Sequence, residues 1–128
     1  MSLIDANIVL RYLLDDHPEL SPRAADILER QRVTLPIEAA CEVVYVLQKV
    51  YEVGRDTIAE QLTALVQDEL VCIEKPAVFL KALDRYSFGA IDFVDCLLWG
   101  YHIEEQQEIF TFDKKLHKLI YGPSQGQP

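Results

Sequence analysis

Ser2-Leu3-Ile4-Asp5-Ala6-Asn7-Ile8-Val9-Leu10-Arg11-Tyr12-Leu13-Leu14 opens the chain with a short apolar run, a carboxylate, and then an apolar run long enough for a buried helix. A brief strand feeding straight into a helix is the start of a βα unit. Asp5 then stands at the carboxyl end of the first strand, where open α/β sheets place their ligand crevice. Asp15-Asp16-His17-Pro18 ends the helix, because the residue before a proline disfavours the right-handed helical region.

The alternation recurs downstream. Ser21-Pro22 reads as a helix start, with serine as N-cap and proline as first helical residue. Val33 to Ile37 reads as a second strand, and Glu38 to Val53 as a strongly apolar helix with Glu42 in its first part. Gly54 suits the end of that helix, and Asp56 or Thr57 the cap of the next. Leu70 to Glu74 reads as a third strand, residues 77–86 as a short amphipathic helix, and Glu108 to Phe112 as a fourth strand ending on Asp113. Lys114 to Tyr121 closes the pattern as a last helix. Short strands alternating with helices predict an α/β fold, with a short central parallel sheet of four to five strands flanked by helices. Residues 1–121 are expected to form this one domain, and residues 122–128 a flexible, polar C-terminal tail.

Composition narrows the function. A chain of 128 residues, half of them hydrophobic, is long enough to bury a real core. No apolar run approaches the ~20 residues that span a bilayer. The opening segment has no charged and apolar leader pattern, so a cytoplasmic protein with no membrane partner is expected. Cys41, Cys72 and Cys96 are far apart and form no CxxC pair, which argues against a zinc site or a disulfide framework. The formal net charge of −9 argues against a broad basic surface for nucleic acid. It does not exclude a nuclease, because acids that hold cations add to that count.

Asp92-Phe93-Val94-Asp95 sets two carboxylates on one helix face, where they repel. A helix N-terminus offsets such repulsion, with Asp92 as N-cap and Asp95 as the acidic third residue. So does a metal ion. Asp5 and Asp113 end the first and last strands, and Glu42 lies just beyond the second. All strands of a parallel sheet point the same way, so these acids are expected to converge on one edge. Crowded carboxylates repel or hold protons, and the usual solution is a hard cation such as Mg²⁺ or Mn²⁺. GxxxxGK[ST], GxGxxG and GxSxG are all absent, and the three histidines are scattered. What remains is a carboxylate-only site, of the kind that activates water for phosphodiester cleavage.

Leu3-Ile4-Asp5-Ala6-Asn7, the acid in Ala40-Cys41-Glu42-Val43-Val44, Asp92-Phe93-Val94-Asp95 and Thr111-Phe112-Asp113 together resemble a PIN domain. The resemblance is closest to the VapC-type toxins of prokaryotic toxin–antitoxin pairs and covers all but the tail. It implies a Mg²⁺- or Mn²⁺-dependent endoribonuclease with a Rossmann-like sheet between helices. It further implies that Asp5, Glu42, Asp95 and Asp113 are catalytic, that Asp5, Asp95 and Asp113 hold the metal, and that Asn7, Asp92 and Thr111 support them. RNA as substrate, an antitoxin as partner and a homodimer follow from the same likeness. The chain departs from the pattern at Ala6, where the family often has a hydroxyl, and at Lys115-Leu116, where many members carry another acid. Two other readings stay open: a protein-binding module without catalysis, and another acidic α/β enzyme that processes phosphate.

Overall fold

β1 (Ser2–Leu3) runs parallel to β2 (Val33–Thr34), Ser2 opposite Val33 and Leu3 opposite Thr34, in a computed structural model that describes residues 1–122. The remaining elements are helices: α1 (Ala6–Leu14), α2 (Leu20–Arg30), α3 (Ile37–Lys49), α4 (Arg55–Gln67), α5 (Pro76–Ser87), α6 (Phe93–Glu105) and α7 (Lys114–Tyr121). Each strand feeds its helix within a few residues, as the opening stretch predicts. Residues 123–128, most of the expected tail, lie outside the described residues.

The sheet is narrower than the expected four to five strands. A parallel bridge from Thr34 to Cys72 extends it beyond β2, with Leu35 N–H donating to Cys72 O and Cys72 N–H to Val33 O. The third strand does not lengthen because the amides of Leu70 and Val71 are already committed to Leu65 O, at the end of α4. The segment 108–112 forms no ladder. Ile109 N–H donates to the Tyr121 hydroxyl, and that hydroxyl donates to Ile109 O, both at 2.9 Å, so the segment folds back on α7 instead of adding to β1. Its side chains still alternate as in a strand, with Ile109 and Thr111 half-buried and Phe110 and Phe112 exposed.

Helices were easier to read because their apolar stripes recur at the helical period. Ala40, Val43, Val44 and Leu47 of α3 are buried, as are Val78, Phe79, Ala82, Leu83 and Tyr86 of α5. Phe93, at the start of α6, meets the rings of Phe79 and Tyr86 edge-on, with centroids 5.7 Å away in both cases. Burying each of these large side chains contributes about 1.5–3 kcal/mol relative to exposure. Gly100 brings α6 so close to α5 that an added Cβ would stand 2.9 Å from Val78 O.

Helix starts differ from expectation at two places. α2 begins at Leu20 because His17 Nδ1 accepts from the amides of Glu19 and Leu20, while Ser21 is buried and its hydroxyl accepts from His17 N–H. Gly54 caps the start of α4 and does not close α3. Among the described residues, no helix is long and apolar enough to cross a membrane.

Candidate active site

Asp5 follows β1 and heads α1. Its Oδ1 accepts from Ile8 N–H at 3.3 Å, which satisfies one of the amides that a helix start leaves free. Asp113 does the same for α7, accepting from Leu116 N–H at 2.9 Å, and its own N–H donates to Thr111 Oγ1 at 3.0 Å. A cap engages one carboxylate oxygen, and a carboxylate has acceptor capacity to spare. Both acids are exposed.

Asp92, expected to do the capping in Asp92-Phe93-Val94-Asp95, makes no side-chain cap bond, although it stands at the N-cap of α6. Its carboxylate lies 4.0 Å from Arg55 Nη2 instead. The two acids that end strand-like segments are the ones that cap.

Two cavities share α3 as a wall. Asp5 and Asn7 line a broad cavity of about 940 Å³ together with Glu38 and Glu42. Glu38 stands one turn before Glu42 and joins it on the same wall. That spacing was visible in the sequence, where Glu38 was read only as the start of its helix. Asp92 and Asp95 line a smaller cleft of about 290 Å³, walled by Cys41, Tyr45, Gln48 and Lys49 of α3.

Asp95 is the acid under electrostatic load. It is half-buried in the first turn of α6, and burial raises its pKa, with Asp113 and then Asp92 raising it further. Asp113 is thereby brought into the electrostatic neighbourhood of Asp95. Cys96, the next residue, is fully buried and pushed up to about 11, chiefly by that burial, so it is no nucleophile.

The donor chemistry of these acids, oxygen only, suits Mg²⁺ or Mn²⁺. Their arrangement does not yet suit a three-carboxylate site. Among the described residues, no three His, Cys, Asp or Glu side chains form a group that could hold a metal ion, and no buried side-chain polar atom is left without a partner. Asp5, Asp95 and Asp113 therefore do not form a ready-made ligand set.

Two arginines that carry no motif lie beside this site. Arg55 and Arg85 hydrogen-bond the backbone between α5 and α6. Arg85 meets Gly89 four residues on, whereas Arg55 reaches partners 31 and 36 residues away, which no local pattern announces.

A VapC ribonuclease of Aquifex aeolicus (strain VF5) is 27% identical over 101 residues, which cover 76% of this chain and 75% of that protein. No solved structure matches the chain. The PIN domain family matches residues 2–120, a span that runs from β1 into α7 and contains every acid described above. The chain belongs to the PIN domain family.

Proposed function

We propose that this chain is a VapC-type endoribonuclease that hydrolyses RNA phosphodiester bonds with a divalent cation, Mg²⁺ or Mn²⁺. The observation that carries the reading is Asp95, a half-buried carboxylate whose pKa is raised by burial and by Asp113 and Asp92. Evolved sites concentrate such perturbed groups where chemistry is done. The relative named a VapC ribonuclease supports the same class.

Asp5, Glu42, Asp95 and Asp113 are assigned to catalysis, and Asp5, Asp95 and Asp113 are the acids that a bound cation would have to draw together. Thr111 supports Asp113 through the hydrogen bond to its amide, and Asn7 shares the cavity of Asp5. Asp92 adds negative charge beside Asp95. Acidic clefts of this kind suit a basic side chain from a partner, since charge-assisted pairs are the strong ones. A cognate antitoxin that inserts arginine or lysine, a homodimeric state and a cytoplasmic location complete the proposal.

The test is cleavage of a single-stranded RNA by the purified chain, with and without Mg²⁺ or Mn²⁺. The expected products carry 5′-phosphate and 3′-hydroxyl ends. Asp5→Asn and Asp95→Asn should each abolish cleavage with an unchanged circular dichroism spectrum. Full activity in either variant overturns the assignment. A chain that neither cuts RNA nor gains thermal stability from either cation is a binding module instead.

A further inference from the structure

The turn that launches α6 is held from outside. Gly89 and Ala90 both carry positive φ, at 87° and 73°. Glycine accepts that region freely, but an L-residue such as alanine is disfavoured there. Such a conformation persists only where its surroundings over-determine it.

The surroundings are two guanidinium groups. Arg55 Nη1 donates to Tyr86 O at 3.1 Å and to Ile91 O at 2.7 Å, and its guanidinium carbon stands 4.4 Å from the centre of the Tyr86 ring. Arg85 Nη1 donates to Gly89 O at 3.1 Å. Three carbonyls of one turn are thus drawn onto two cations. The Cys96 thiol adds a longer contact, 3.7 Å, to the same Ile91 oxygen. Arg55 is the first residue of α4, so the clamp ties a third helix to the junction of α5 and α6.

Relative strengths identify the working part of the clamp. The Arg55–Asp92 pair is 4.0 Å long and its Asp92 side chain is 86% exposed, so it contributes little. The Arg55 side chain is only 22% exposed, and its carbonyl bonds are charge-assisted. The stack on Tyr86 fixes the plane of the guanidinium. Asp95 lies one helical turn beyond the clamped Ile91-Asp92 segment, on the helix that this segment starts.

We propose that Arg55 is a positioning residue: its guanidinium fixes the turn from Tyr86 to Asp92, and through it the orientation in which the first turn of α6 presents Asp95 for cleavage. This rests on the reading of Asp95 as catalytic. Arginine suits the task because one nitrogen bridges two carbonyls while the planar group stacks. Lysine keeps the charge and offers donors at a single point, but it has no plane to stack.

The experiment compares the full-length wild type with Arg55→Lys and Arg55→Met. It reads kcat and KM on one RNA oligonucleotide, the melting temperature, and amide exchange along the chain. Assays are run well below each variant's melting temperature. Arg55→Met is expected to lower kcat at least tenfold with KM within twofold. Arg55→Lys, which keeps the charge and is the variant safer for folding, is expected to recover part of that loss. Amides at the start of α6 should exchange faster in both, while those of α1 stay as in the wild type. Wild-type kcat in Arg55→Lys together with unchanged exchange at the start of α6 overturns the proposal. So does a kcat loss that tracks only the folded fraction. A wild type that cuts no RNA at all refutes the ribonuclease reading itself, and the positioning role for cleavage falls with it.

Discussion

Asp113, at the head of α7, raises the pKa of Asp95, in the first turn of α6, and each acid reaches this relation from the N-terminal end of its own helix. Burial of Asp95 acts in the same direction and is the larger cause. An acid whose folded pKa exceeds its unfolded value binds its proton more tightly when folded. Its ionisation therefore reduces stability as pH rises from the ordinary carboxylate value through the raised one. Above that window the penalty is complete.

Asp95→Asn should consequently stabilise the fold at pH 7 while ending cleavage. The expected rise in melting temperature is about 2 °C, which corresponds to ~0.5 kcal/mol in a domain of this size once solvent screening is allowed for. The charge-dependent part of the difference should vanish below about pH 3, well under the ordinary Asp value of about 3.9, where the carboxyl is protonated in both folded and unfolded chains. Thermal denaturation at the two pH values checks this, and a lower melting temperature for the variant at pH 7 contradicts it.

Asp5 and Asp113 serve their helices through one oxygen each, accepting from Ile8 and Leu116 amides. Asparagine caps a helix as well as aspartate does, whereas alanine costs about 1 kcal/mol. Asn variants at either position should melt within ~1 °C of the wild type, and Ala variants about 3–5 °C lower. Comparing cleavage within the Asn pair then separates the charge of each acid from its structural service.

Gly100→Ala should destabilise, because the new Cβ would stand 2.9 Å from Val78 O and 3.3 Å from Val78 Cγ1. A backbone oxygen cannot swing aside, so α5 and α6 must separate. Over-packing of this kind costs about 1–3 kcal/mol, and a lower denaturant midpoint with unchanged slope is the expected readout.

The segment 108–112 should exchange its amides quickly. Within it, Ile109 donates to the Tyr121 hydroxyl, and the amides of Phe110, Thr111 and Phe112 have no backbone partner among the described residues. Val43, Val44 and Leu47, buried in α3, should exchange slowest. Tyr121→Phe removes the hydroxyl and should speed exchange at Ile109. Slow exchange across 110–112 would contradict the turned-back arrangement.

Helices were legible because burial stripes are written in residue type. The reading of Lys114 to Tyr121 as a last helix matches α7. Strand pairing was less legible, because it depends on where each amide goes. Leu70 and Val71 look like strand residues, yet Leu65 O takes their N–H groups first. Glu108 to Phe112 alternates as a strand should, yet a tyrosine hydroxyl twelve residues on engages Ile109. The acids were found as residue types at the right ends of elements, but their division of labour was not. Asp92 looked like the cap and is drawn toward Arg55, while Asp5 and Asp113 cap. A sequence shows which residue stands at a helix start, not which competing partner it meets.

Among the described residues β1 is paired on one side only, by β2, and Leu3 and Met1 stand exposed along it. Phe110 and Phe112 stand fully in solvent on a segment that has the alternation of a strand and no ladder. An open sheet edge and an unclaimed aromatic strand on one molecule make an adhesive combination. Opposing such contact is the net charge of −9, whose repulsion reaches only about 10 Å at 0.1 M salt. Contact between copies through the sheet edge and the phenylalanines is therefore expected to increase with ionic strength.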